Sequence, residues 1–68
     1  MYNVIAESNG KVYTLQENGG LCSTFNYNPK KYSYMTEAKR DALRIKNNNP
    51  HYSNVAILDL DSNEKKYV

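Results

Sequence analysis

The dipeptide Asn9-Gly10 constrains the fold more than any other feature of this 68-residue sequence. Asn-Gly between two alternating segments is the strongest short-range signal of a β-hairpin, because a type I′ turn needs a positive φ at both central residues. Counting outward from this turn predicts three facing pairs: Ala6 with Tyr13, Val4 with Leu15, and Tyr2 with Glu17.

The predicted register gives the hairpin one apolar face. Side chains alternate between the two faces of a sheet, so a shift of one residue would exchange the faces. The apolar face holds Tyr2, Val4, Ala6, Tyr13 and Leu15. The opposite face is mostly polar and holds Asn3, Ile5, Glu7, Val12, Thr14 and Gln16. We therefore expect the first face to contact the core.

Residues 18–34 give weaker signals of structure. Asn18, Gly19 and Gly20 end the second strand, because these residues favour turns. Residues 21–28 alternate in pattern and are compatible with a third strand, which the sequence leaves open. Pro29 and its neighbours at 28–31 predict a turn, and residues 32–34 are expected to be extended.

One helix is predicted from about residue 36 to the asparagines that precede Pro50. Thr36 is the expected N-cap, since its hydroxyl can accept a hydrogen bond from a free backbone N–H. Helical spacing predicts a buried stripe of Met35, Ala38, Ala42 and Ile45, with Leu43 beside them. Lys39, Arg40 and Arg44 are expected to face solvent.

Residues 53–60 predict a long strand, and residues 55–58 are apolar on both faces, which indicates an interior strand. Residues 61–63 predict a turn, and residues 65–68 a short edge strand. The element order is therefore β-β-(β)-α-β-(β). We expect an α+β fold, in which a small antiparallel sheet of three to five strands carries one helix on one face, as a single domain over residues 1–68.

Charge and composition restrict the class of protein. The formal net charge is +2, but residues 30–48 hold six lysines and arginines against two carboxylates. Cys22 is the sole cysteine, so no internal disulfide can form. The N-terminus has no signal-peptide pattern, and the longest apolar run, residues 55–58, is far shorter than the roughly 20 residues that span a bilayer. We expect a cytoplasmic protein with no membrane association.

Catalysis is not expected. Cys22 and His51 are the candidates for nucleophilic chemistry, which requires a base within hydrogen-bonding reach of the nucleophile, and nothing in the sequence brings them together. Asp59, Asp61 and Asn63 have the spacing of the first ligands of an EF-hand loop, but Glu64 stands where that loop requires glycine. A hydrogen-bonded turn is the preferred interpretation there. We expect no enzyme activity, cofactor or metal.

The segment that leads into the helix, with the helix itself, carries the predicted binding residues. Lysines neutralise anions, while tyrosines supply stiff, amphipathic contact area at protein interfaces or stack on the bases of single-stranded nucleic acid. A third interpretation is that several of the tyrosines only cap the core. The candidate partner-binding residues are Tyr27, Lys30, Lys31, Tyr32, Tyr34, Lys39, Arg40 and Arg44.

Three short motifs carry a resemblance to a class of proteins. They are the tetrapeptides at residues 10–13 (Gly-Lys-Val-Tyr), 36–39 (Thr-Glu-Ala-Lys) and 55–58 (Val-Ala-Ile-Leu). Their order resembles that of small phage-encoded accessory proteins of ββαβ type. The resemblance implies a non-catalytic protein that binds a host protein, of transcription, replication or defence, and modulates or inhibits it. The cations of residues 30–44 add the expectation that the surface bound on that host protein is acidic.

Two alternatives to that function remain open from the sequence. One is a small nucleic-acid-binding module that uses the same tyrosines and cations. The other is a subunit that forms a homodimer by pairing sheet edges, which a thin core would favour.

Overall fold

One antiparallel sheet and one helix make up the part of the chain that the computed structural model describes, residues 1–23 and 28–68. The elements are β1 (Tyr2–Ser8), β2 (Lys11–Leu15), β3 (Leu21–Cys22), α1 (Met35–Asn48), β4 (Asn54–Asp59) and β5 (Lys65–Tyr67). The strands lie in the order β3-β2-β1-β4-β5. The predicted α+β fold is confirmed.

The hairpin of β1 and β2 has the predicted turn. Ser8 pairs with Lys11 and Ala6 pairs with Tyr13. Asn9 has a φ of 51° and Gly10 a φ of 78°, the positive values that a type I′ turn requires. The Asn-Gly signal therefore predicted the register of β1 and β2 correctly near the turn.

The other end of the hairpin differs from the prediction, because residues 28–32 insert beside both strands. The ladder between β1 and β2 ends at Ile5 and Thr14. The carbonyl of Leu15 then accepts from the amide of Lys30 at 2.9 Å, and Tyr2 and Tyr32 exchange two backbone hydrogen bonds of 2.9 Å. The predicted pairing of Tyr2 with Glu17 was wrong, since Tyr2 takes its partner from a distant segment.

This inserted segment, residues 28–32, also replaces the predicted turn at 28–31. Pro29 forms an antiparallel bridge with Gln16, and the carbonyl of Asn28 accepts from the amide of Glu17 at 2.9 Å. Proline has no N–H to donate, so it fits a bridge in which its neighbours make the hydrogen bonds. Residues 24–27 of the possible third strand lie outside the described residues, and β3 itself is two residues long.

The core lies between the helix and one face of the sheet. Val4 and Ile57 are its largest fully buried side chains, and burial of such a residue contributes about 1.5–3 kcal/mol. β4 pairs with β1 on one side and β5 on the other, so the predicted interior strand is confirmed. The buried cluster is Val4, Ala6, Leu15, Tyr32, Ala38, Ala42, Ile45, Val55 and Ile57.

The helix departs from the prediction at its N-terminus, at Leu43 and at Asp41. It begins at Met35, and its N-cap is Tyr34 with no side-chain cap hydrogen bond. Thr36 is therefore not the cap, because the helix already includes it. Leu43 is 40% exposed, whereas Asp41 is buried. At about 100° per residue, position 41 lies about 40° from 45 and about 60° from 38, at the edge of the core-facing stripe, and the polarity pattern concealed this.

The turn after β4 is a hydrogen-bonded one, as predicted. The Asp59 carboxylate accepts from the amide of Asp61 at 2.9 Å, and Asn63 has a φ of 62°. Within residues 1–23 and 28–68 there is no cluster of three potential metal ligands. The helix α1, which is the helix of the described chain, is neither long nor apolar enough to cross a membrane.

Gly10→Ala tests the turn. No atom lies within 4 Å of the position that an added Cβ would take, so the cost comes from the positive φ alone. We expect the free energy of unfolding to fall by about 1 kcal/mol, as measured by urea titration. Asn9→Gly is the control and should change it by less than about 0.5 kcal/mol. Equal stability of the alanine variant and the parent would contradict the turn geometry.

Candidate partner-binding surface

Three cations converge on one buried carboxylate. Arg44 Nη2 lies 3.2 Å from Asp41 Oδ1, Lys30 Nζ lies 3.6 Å from Asp41 Oδ2, and Arg40 Nε lies 3.9 Å from Asp41 Oδ1. The Asp41 side chain is 6% exposed, and that of Arg44 is 64% exposed. We call Lys30, Arg40 and Arg44 the cationic surface. One carboxylate cannot neutralise three cations, so the surface keeps a positive excess toward solvent.

Tyr32 holds the carboxylate from the inside. Its hydroxyl donates to Asp41 Oδ2 at 2.5 Å in a buried hydrogen bond, and its side chain belongs to the core cluster. The ammonium of Lys30 lies 5.3 Å from the centroid of the Tyr32 ring, a distance at which a cation is attracted to the ring face. The sequence placed Tyr32 among the residues that touch a partner. The structure places its ring in the core, where it is buried.

The inserted segment positions Lys30 through its backbone. The Lys30 amide donates to Leu15, as described above, and its carbonyl accepts from Asn3 Nδ2 at 3.0 Å. Both polar backbone groups of Lys30 are therefore fixed by the sheet. Arg40 and Arg44 come from the helix instead. The cationic surface thus spans the junction between the two layers of the fold.

The surroundings of Asp41 stabilise its ionised form. Burial of the carboxylate acts to raise its pKa, but the hydrogen bond from Tyr32 and the charges of Arg44, Lys30 and Arg40 together hold the pKa below its ordinary value. The pKa of Tyr32 is raised, first by burial and then by its hydrogen bond to Asp41. At neutral pH the pair is therefore a carboxylate and a neutral phenol.

The remaining predicted binding residues are distributed differently. Tyr34 is 67% exposed, and Lys31 and Lys39 are exposed. Lys39 is rotated about 140° from Arg44 around the helix axis, because each residue advances by about 100°. Lys39 therefore lies on the other flank of the helix. Tyr27 lies outside the described residues.

Sequence reasoning missed Asp41, which was assigned only as one of the charges of the helix. A signal was present, since Asp41 follows Ala38 by three residues and precedes Ile45 by four. These are the spacings that place side chains on one helix face. A carboxylate at a core-facing position, with arginines one residue before it and three residues after it, indicates a buried ion pair.

The structure describes the positions of both residues considered for nucleophilic chemistry. His51 is exposed, and its ring lies 4.3 Å from that of Tyr52 at an angle of 38°. Cys22 is half-buried in β3, where it pairs with Thr14. Tyr52 in turn contacts Tyr13 edge-on, with ring centroids 5.5 Å apart, so His51 belongs to an aromatic cluster.

Comparison of the chain with models of protein families, with curated proteins and with solved structures found no match in any of the three. The function is therefore inferred from the geometry of the cationic surface.

Tyr32→Phe tests the buried hydrogen bond. The substitution keeps the ring but removes the hydroxyl that donates to the carboxylate. We expect the free energy of unfolding to fall by about 2 kcal/mol, because a hydrogen bond to a charged group is lost in a buried site. Tyr34→Phe, which removes an exposed hydroxyl, is the matched control and should have almost no effect. Equal effects of the two substitutions in thermal unfolding would contradict the assignment.

The depressed pKa of Asp41 predicts a dependence of stability on pH. A carboxyl whose folded pKa lies below its unfolded value of about 3.9 stabilises the fold above that value. This stabilisation is lost as the pH falls through the folded pKa. We expect the difference in unfolding free energy between the parent and Asp41→Asn to be largest near neutral pH and to shrink below about pH 4. A difference that stayed constant in urea titrations across this range would contradict the prediction.

Proposed function

We propose that this chain is a small non-catalytic binding protein that docks its cationic surface on an acidic surface of a partner protein. The observation that carries the proposal is the convergence of Lys30, Arg40 and Arg44 on a single buried carboxylate. Charge of one sign in one place steers a partner of opposite sign and suppresses wrong partners. Arginine is also enriched at protein interfaces.

A protein partner is favoured over nucleic acid by where the tyrosines lie. Binding of single strands combines a cationic groove with aromatic rings on which bases stack. Tyr32 is buried and cannot stack, while Tyr34 is the exposed ring among the candidate tyrosines that the structure describes. Lys39 lies on the other flank of the helix, so the cations do not form one stripe. A nucleic-acid-binding module remains the second candidate, on the strength of Tyr34.

The class of partner follows from the resemblance of the sequence motifs. A phage-encoded accessory protein would act in the cytoplasm of the host cell and would modulate or inhibit a host protein by covering an acidic surface. Self-association through sheet edges is a separate alternative. Two of the three residues of β5 are lysines, Lys65 and Lys66, and lysines on an edge strand disfavour edge-to-edge pairing.

Charge reversal on the two flanks of the helix tests the proposal. Tagged parent, Arg44→Glu and Lys39→Glu proteins would be incubated with bacterial lysate, with and without nuclease treatment, and retained proteins would be quantified by mass spectrometry. We expect the parent to retain one acidic protein in near-stoichiometric amount, and Arg44→Glu to retain at least about tenfold less. Lys39→Glu makes the same change of charge on the other flank of the helix, and this variant should retain as much of the acidic protein as the parent does.

Three outcomes would contradict this proposal. Equal losses for Arg44→Glu and Lys39→Glu would mean that net charge alone governs capture. Capture that disappears on nuclease treatment, with a steep linear fall of log affinity against log salt, would indicate the nucleic-acid module. Retention of no protein, together with a dimer on size-exclusion chromatography, would leave self-association.

A further inference from the structure

Asp41 has the wrong sign for a surface that binds anions, since it lowers the positive charge that a partner meets. We propose that Asp41 is a positioning residue that holds Arg44 and Lys30 in their binding arrangement before the partner arrives. The partner chemistry that follows is a cluster of carboxylates on a protein chain. This inference rests on the proposed function and assigns the role of a residue within the same surface.

The carboxylate is suited to this role because the fold fixes it from below. Asp41 is buried, and its carboxylate accepts a hydrogen bond from the hydroxyl of Tyr32. Tyr32 is itself held in the sheet by its two backbone hydrogen bonds to Tyr2. The sheet therefore fixes the ring of Tyr32, the ring fixes the carboxylate of Asp41, and the carboxylate orients the exposed cations.

The three cations are held to different degrees. Arg44 makes the shortest contact to the carboxylate, at 3.2 Å. The ammonium of Lys30 lies 3.6 Å from Asp41 Oδ2 and also contacts the ring of Tyr32. The backbone N–H and C=O of Lys30 are both hydrogen-bonded as well. The side chain of Arg40 is 76% exposed, and its Nε lies 3.9 Å from Asp41 Oδ1. Asp41 therefore positions Arg44 and Lys30 and has little hold on Arg40.

Arg44 keeps donors for a partner. A guanidinium carries five N–H donors in a planar fork that matches a carboxylate, and the contact with Asp41 uses Nη2. The remaining N–H groups are available on a side chain that is 64% exposed. A partner carboxylate can thus bind an arginine whose orientation Asp41 has already set.

Asp41 affects affinity in two opposite ways, through its charge and through the positioning of the cations. The sizes of these effects predict whether Asp41→Asn strengthens or weakens binding. Replacing the carboxylate by a neutral amide adds one positive charge, which strengthens binding of an anion about 8 Å away by about twofold in solvent. Losing the fixed arrangement of two long side chains weakens binding by about tenfold. Asp41→Asn is therefore expected to bind an acidic partner about fivefold more weakly, although it is the more positively charged protein.

The experiment measures binding of a fluorescein-labelled oligoglutamate peptide by fluorescence anisotropy at low salt. The parent and Asp41→Asn are compared alone, in an Arg44→Gln background and in an Arg40→Gln background. The two glutamine backgrounds remove the same charge from neighbouring positions of one helix flank. We expect the fivefold weakening by Asp41→Asn to vanish or reverse in the Arg44→Gln background and to persist in the Arg40→Gln background.

Several outcomes overturn the inference. The first is that Asp41→Asn binds the peptide as tightly as the parent or more tightly. The second is that Asp41→Asn has the same effect in the Arg44→Gln and Arg40→Gln backgrounds, as a general loss of stability would produce. If Asp41→Asn does not fold, Tyr32→Phe takes its place, because it frees the carboxylate without changing the charge. A folded Tyr32→Phe protein that binds like the parent then overturns the inference. If Arg44→Gln alone has no effect on binding, the proposed function fails instead, and the inference fails with it.

Discussion

The hydrogen bond from Tyr32 to Asp41 is the interaction on which the arrangement of this protein depends. Tyr32 belongs to the inserted segment beside β1, and Asp41 belongs to the helix. The bond therefore joins the two layers of the fold with a polar contact inside an otherwise apolar interface. It also places Asp41 on the buried face of the helix, beside Ala38, Ala42 and Ile45.

A buried charge is a costly way to join two layers. Removing a carboxylate from water carries a penalty that ion pairing often fails to recover, and apolar replacements of buried pairs are frequently neutral or stabilising. The Asp41 cluster is therefore weak evidence for stability. Its geometry is better explained by orientation, because a hydrogen-bonded carboxylate specifies direction, whereas an alanine or leucine at the same position would not.

The features that the sequence predicted correctly are those set by neighbouring residues. The Asn9-Gly10 turn, the interior strand β4 and the turn that follows it each depend on contiguous signals. The inserted segment was missed because its partners, Leu15 and Tyr2, lie 15 and 30 residues away from Lys30 and Tyr32. The burial of Asp41 was missed for a related reason, since an amphipathic pattern assigns every charge to the solvent side. Of the candidate site, the exposure of the two arginines was predicted, whereas their common partner was missed although its helical spacing indicated it.

The pairing of β1 with β4 has a consequence for how the chain folds. Tyr2 pairs with Asp59 and Glu7 with Asn54, so the central ladder of the sheet joins segments that are far apart in the sequence. During synthesis the hairpin can form early, yet one edge of β1 stays unpaired until β4 has emerged. Such long-range pairing slows folding relative to helical proteins of similar size. The nascent chain consequently exposes an apolar strand edge from the synthesis of β1 until that of β4, an interval in which chaperones or neighbouring chains compete with β4 for β1.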